Sequence, residues 1–210
     1  MKTNRRVAEL LLQSKAIKLE PASPFTWASG WKSPIYCDNR KTLSFPEIRS
    51  FIRDVYVETI RENFEIPDII AGVATGAIAQ GALVAEALNL PFIYIRSQSK
   101  SHGMRNMIEG YYEKGQSVVV IEDLISTGGS SLKAVEALRE AECNVTGMVA
   151  TFTYQFKTAI ENFKNAHLEV LTLTDYDTML SLAVEQDYIT EKALPLLQQW
   201  RLDPGNWTGK

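Results

Sequence analysis

The chain has 210 residues, a net charge of −3, and 45% hydrophobic and 22% charged residues. That balance excludes a disordered, collagenous or coiled-coil chain, and the acidic sign argues against a general nucleic-acid or anionic-membrane binder. The length fits one domain. The two cysteines, Cys37 and Cys143, are far apart and in no metal-ligand spacing, so there is no disulfide framework and a reducing cytoplasm is the simpler compartment.

In chain order, Val7, Leu10, Leu11 and Ile17 suit one face of a helix, and the polar residues among them leave no clean signal-peptide core. Residues 21–40 mix turn formers with aromatics and read as loops and short strands packed by Phe25, Trp27, Trp31 and Tyr36. Pro46–Asn63 reads as a helix with Ser44 as its cap. An alternation follows: strand Asp68–Ala71, helix Gly76–Asn89, strand Phe92–Ile95, strand Ser117–Ile121, helix Ser131–Glu142, strand Val145–Phe152, a further helix, and strand Leu168–Leu173. The apolar-rich stretch from Ala71 to Ile95 carries Gln80, Glu86, Asn89 and Pro91, which suits a buried helix and strand and not a membrane span. Apolar strands alternating with helices imply an α/β fold, a mostly parallel sheet of about five strands flanked by helices. Ligands of such sheets bind at the carboxyl ends of the strands.

The strongest chemical signal is residues 118–131, VVVIEDLISTGGSS. An aliphatic strand is expected to end in two carboxylates, Glu122 and Asp123. A loop of small residues follows, Ser126, Thr127, Gly128, Gly129 and Ser130, and a helix then begins. Free N–H groups at a helix start, glycines that allow close approach and hydroxyl donors make a phosphate cradle. No Gly-Lys-[Ser/Thr] ends it and no Gly-x-Gly-x-x-Gly occurs, so it is neither of the common nucleotide loops. Phosphate beside two carboxylates suggests a sugar phosphate, with the carboxylates accepting from ribose hydroxyls and facing positive charge on the ring. Residues 96–115 read as a long polar connection whose first half gathers Arg96, Lys100, His102 and Arg105, with Gly103 and Gly110 as pivots, the pattern of a lid over an anion. A third element, AGVATGAIAQG at 71–81, opens a helix with small residues.

The 118–131 segment resembles the phosphoribosyl-pyrophosphate (PRPP) signature of the type I phosphoribosyltransferases. The resemblance narrows to the orotate phosphoribosyltransferases through Arg96, Lys100, His102 and Gly103 and through the Phe-Thr-x-x-Ser-Gly-x-Lys-Ser-Pro-x-Tyr pattern at 25–36. It covers nearly the whole chain and implies a phosphoribosyltransferase-like sheet with an N-terminal hood: hood about 1–64, core about 65–175, C-terminal helices about 176–210. It implies transfer of the 5-phosphoribosyl group from PRPP to orotate, giving orotidine 5′-phosphate and pyrophosphate. Lys100, His102, Glu122 and Asp123 would be the catalytic set. PRPP would be held by Arg96, Lys100, His102 and the run Glu122, Asp123, Leu124, Ile125, Ser126, Thr127, Gly128, Gly129 and Ser130. Thr75, Gly76 and Ala77 would be the pyrophosphate loop. Orotate would meet Ser126, Ser29, Lys32, Tyr36 and Tyr154. Magnesium would be held mainly by PRPP, with Asp123 the candidate protein contact and no dedicated protein ligand set. The family is a cytoplasmic homodimer that shares its catalytic loop across subunits, without nucleic acid or membrane.

The chain departs from the family pattern in four places. Ser97 replaces a second lysine and Gln98 a glutamate in the loop. Ala28 replaces a lysine before Ser29-Gly30, and Tyr154 stands where an arginine pairs with the orotate carboxylate. Lys32, Arg40 and backbone donors near Tyr36 and Ser126 remain as partners for that carboxylate. The alternatives are transfer to another base, a non-catalytic PRPP-sensing regulator, or a flavodoxin-like domain with incidental polar turns.

Overall fold

A computed structural model describes residues 2–27, 29–98 and 107–209. Helix α1 (Thr3–Gln13) buries Val7, Leu10 and Leu11, as their spacing predicts, but Ile17, read onto the same face, lies past its end in a strand. Two small antiparallel pairs follow. β1 (Ile17–Leu19) pairs with β4 (Ile35–Cys37), and between them β2 (Phe25–Thr26) pairs with β3 (Lys32–Ser33). A short 3-10 helix at Asn39–Ser44 leads into α2 (Pro46–Asn63). The boundaries of α2 are those read from the sequence, but Ser44 is not its cap. Phe45 holds that position without a side-chain hydrogen bond, and Pro46 opens the helix, where its fixed φ fits and its missing N–H costs nothing.

The central sheet has six strands: β5 (Ile69–Val73), β6 (Phe92–Ile95), β7 (Ile108–Glu109), β8 (Ser117–Ile125), β9 (Asn144–Thr153) and β10 (Val170–Asp175), in the order β10-β9-β8-β5-β6-β7. All neighbours are parallel except β7, which lies antiparallel on the edge of β6. β7 falls inside the stretch read as a structureless connection, and two residues are too few to show a period. The helices are α3 (Ile78–Leu88), α4 (Gly129–Glu140), α5 (Lys157–Asn165), α6 (Tyr176–Glu185) and α7 (Leu194–Leu202). Asn89 ends α3 in the left-handed region, a favoured helix stop. Asp175 caps α6 by accepting from the Thr178 N–H at 2.8 Å.

All five residues of β5 are buried, because helices cover both sheet faces. Alternation divides the core. Ile70, Val119 and Ile121 face a cluster with α1, α2, α3, α6 and α7, while Ile69, Ala71, Val118 and Val120 face α4 and α5. Both cysteines are free, and among the described residues no helix is long and apolar enough to cross a membrane.

The main correction concerns β8. It does not end at the acidic pair but runs on to Ile125, registering Glu122 with Ala150, Leu124 with Phe152 and Ile125 with Thr153 on β9. The long neighbour keeps the backbone ladder supplied past the carboxylates, so polar side chains do not terminate the strand. Helix α4 correspondingly starts at Gly129, two residues before the expected Ser131.

Candidate active site

From β5 the chain moves outward to β6 and β7, and from β8 it moves the opposite way to β9 and β10. The carboxyl ends of β5 and β8 therefore flank the switch point where ligands of open α/β sheets bind. The 75–77 loop and the acidic pair stand at those two ends.

Glu122 is 3% exposed. Its Oε2 accepts from the Ser131 hydroxyl at 2.7 Å and its Oε1 from the Asp123 N–H at 2.9 Å. Burial, and then the charge of Asp123, push its carboxyl well above the usual carboxylate range. Asp123 is half-buried, and burial raises it too. The hydrogen bond with Glu122 and the charge of Arg40 pull it back in part. The backbone of the pair is fixed from the hood side: Tyr56 O–H donates to the Glu122 carbonyl at 2.7 Å, and Asn39 Nδ2 to the Asp123 carbonyl at 2.5 Å.

The small-residue loop after β5 reaches this pair directly. A Cβ on Gly76 would lie 2.0 Å from Asp123 Oδ2, so only glycine allows the two segments to meet. The Ala74–Thr75 peptide is cis. After β8, Ser126 Oγ accepts from the Thr127 N–H at 2.6 Å, and Asn162 Nδ2 donates to the Thr127 carbonyl at 3.2 Å. Gly128 sits at φ +79° against the Phe163 ring and precedes α4 with no side-chain cap. The first N–H groups of α4 are thus left for an outside acceptor.

Arg96 pairs with Glu109 at 3.4 Å. It lines a cavity of about 220 Å³ with Ala74, Gly129 and Ser130. Lys133 lines the same cavity, and its ammonium donates to the Ser97 carbonyl at 3.3 Å. This cation on α4 escaped the sequence reading because only the helix turn carries it back to the phosphate loop. Asn39 and Tyr56 escaped it as well, since they act on backbone atoms far away in sequence. Lys100 and His102 lie outside the described residues, as do Gly103, Arg105 and Ala28.

A second cavity of about 380 Å³ is lined by Thr26, Trp27, Ser29, Tyr36, Cys37, Leu124, Ser126 and Tyr154. Four of the expected base contacts, Ser29, Tyr36, Ser126 and Tyr154, are thereby brought together. Lys32 is not among the lining residues, and its ammonium donates instead to Thr26 Oγ1 at 2.8 Å. Tyr154 is also a core residue: its ring stacks on Phe156 at 5.3 Å and meets Trp27 and Trp200.

Comparison with known proteins agrees with this geometry. Residues 44–167 match the phosphoribosyl transferase domain family. Over 208 residues the chain is 60% identical to an orotate phosphoribosyltransferase of Phocaeicola vulgatus, covering 99% of this chain and 98% of the relative. The chain belongs to the orotate phosphoribosyltransferases. Among solved members of that family, the Aeropyrum pernix enzyme superposes with a TM-score of 0.71 at 26% identity, covering 83% of this chain and 97% of the other. A Leishmania donovani UMP synthase superposes with a TM-score of 0.79 at 28% identity over 95% of this chain, which spans 43% of that longer one.

Proposed function

We propose that the protein transfers the 5-phosphoribosyl group of PRPP to orotate, giving orotidine 5′-phosphate and pyrophosphate, as a step of pyrimidine nucleotide synthesis. The observation that carries this reading is the close approach of the Gly76 loop to Asp123 at the switch point, next along β8 to a cavity lined by Trp27, Tyr36, Tyr154 and Ser126. One arm of this arrangement suits pyrophosphate, the centre a ribose, and the cavity a planar base.

In this reading the backbone N–H groups of Thr75 and Gly76 face pyrophosphate, whereas Ala77, expected beside them, spends its N–H on the Val73 carbonyl at 3.0 Å and only shapes the turn. The loop from Ser126 to Ser130, with the first turn of α4, binds the 5-phosphate. Glu122 and Asp123 hold the ribose hydroxyls and face the positive charge that grows on the ring as the C1′–oxygen bond breaks. That electron pair leaves on pyrophosphate, and N1 of orotate bonds to C1′ as its proton passes to the departing pyrophosphate oxyanion. Orotate is already an anion, so no strong protein base is needed. Arg96, Lys100 and His102 serve the departing pyrophosphate, and closure of their loop keeps water from the ribosyl cation. Tyr36, Tyr154 and Ser29 shape the base cavity.

Among the described residues no group of three or more His, Cys, Asp or Glu could hold a metal ion. Magnesium keeps to substrate phosphates and one or two carboxylates, and Asp123, which the Gly76 loop meets, is the residue that would hold it. Bound there with PRPP, the ion would neutralise charge on the leaving group. We further propose a cytoplasmic homodimer whose catalytic loop serves the neighbouring subunit. A base panel tests the reading. Purified protein with PRPP and magnesium should consume orotate and leave uracil, hypoxanthine and adenine unchanged, and consumption of another base in place of orotate would refute it.

A further inference from the structure

Arg40 stands on the short 3-10 helix of the hood, at the end nearest the site. It lines a void of about 10 Å³ together with Asp123 and Gly76, and its guanidinium feels the Asp123 charge, which places it beside the ribose carboxylate and the pyrophosphate loop. Its Nε donates to Asp38 Oδ1 at 2.7 Å. Its Nη1 and Nη2 make no hydrogen bond with the described residues, and the side chain is 56% exposed. Asp38 therefore aims the guanidinium while leaving its two outer nitrogens as a free fork of donors, the geometry that recognises phosphate oxygens bidentately. The backbone beneath it is fixed, because Asn39 is tied to the Asp123 carbonyl at 2.5 Å. Arg40 also acts electrically on the site, drawing the Asp123 carboxyl below the level that burial alone would set.

We infer that Arg40 is a substrate-binding residue that clasps the pyrophosphate group from the hood side, opposite Arg96, with Asp38 as its positioning residue. The inference rests on the transferase reading and deepens it. A carboxylate partner for the base would be expected in the aromatic cavity, and Arg40 is not among that cavity's lining residues. Its neighbours Gly76 and Asp123 assign it to the leaving group. A pyrophosphate ion carries far more charge than the main-chain donors of residues 75 and 76 can offset, and a guanidinium beside them adds positive charge on the hood side to that of Arg96.

The test is equilibrium binding of pyrophosphate with magnesium, and separately of orotidine 5′-phosphate, to wild type, Arg40→Gln, Arg40→Lys and Asp38→Asn. Arg40→Gln should weaken pyrophosphate roughly 10- to 100-fold, the range for one charge-assisted bidentate contact. Nucleotide affinity and melting temperature should stay near wild type. Arg40→Lys should recover part of the loss, and Asp38→Asn should cost less than Arg40→Gln because the cation remains. Unchanged pyrophosphate affinity in Arg40→Gln would overturn the inference. So would a loss confined to orotidine 5′-phosphate, which would make Arg40 the partner of the base carboxylate. Wild-type protein that binds pyrophosphate but does not turn over orotate would sink the orotate reading alone, leaving the Arg40 comparison to stand on its own result.

Discussion

Glu122 is a carboxyl group enclosed by its own fold, and this has a measurable consequence. Its raised value in the folded state means that the native protein holds a proton that the unfolded chain releases. Stability from this group is full below the ordinary carboxylate range and is lost as pH rises through the folded value. The melting temperature of the ligand-free protein should therefore fall as pH rises through that window. Glu122→Gln, which mimics the protonated acid and lets Ser131 turn its hydroxyl to accept, should flatten the slope. Equal slopes in both proteins would remove Glu122 as the source. Asp123→Asn belongs to the same scale. It keeps shape but removes the charge facing the ribosyl cation, and kcat/KM should drop about 100-fold, with wild-type kinetics excluding Asp123 from the site. The sequence disclosed these two side chains because acid beside acid after an aliphatic run is unusual. It could not disclose Asn39, Tyr56 or Ser131, whose hydrogen bonds to the pair join separate segments or cross a helix turn.

At the scale of elements, the site depends on how closely two loops approach. Gly76→Ala places a methyl group inside the Asp123 carboxylate, so one segment must move. Turnover should fall sharply while the melting temperature changes by only a few degrees, a cost of about 1–3 kcal/mol. Near-normal kcat in Gly76→Ala would show that the two loops need not touch. Gly128→Ala acts differently, combining a positive φ with contact on Phe163. It should destabilise by about 1–2 kcal/mol and weaken PRPP through the displaced start of α4, both readable by thermal melts and by KM. Helix α2 and strand β6 were legible to the residue because proline marks the first and uninterrupted apolar residues the second. The extension of β8 past Glu122 was not, since strand length there is set by the partner β9 and not by the side chains. The edge strand β7 was hidden for a similar reason: its pairing comes from β6.

At the scale of the molecule, the hood and the C-terminal helices are held to the sheet by one aromatic cluster. Trp200 on α7 is fully buried among Trp27, Tyr154, Phe156 and Tyr176, and its indole N–H donates to the Lys32 carbonyl at 3.2 Å. Trp200→Ala should cost about 3–5 kcal/mol and loosen the base cavity, since Trp27 and Tyr154 line it. Orotate KM should then rise more than PRPP KM, and parallel rises would separate the cluster from the base site. Whereas the helices of residues 176–202 were expected from the family resemblance, the alternation of helices and strands from α2 to β10, β7 apart, was legible from apolar runs and turn residues. This long-range cluster was not, because its members are far apart in the chain and each aromatic alone reads as ordinary core.

The central claim is that one site joins a ribose phosphate to orotate at the expense of pyrophosphate. Its most direct test follows orotate loss and pyrophosphate release together in purified protein with PRPP and magnesium. The account predicts a one-to-one yield that vanishes when orotate, PRPP or magnesium is left out. Pyrophosphate released without orotate, or orotate left intact in the complete mixture, would contradict it.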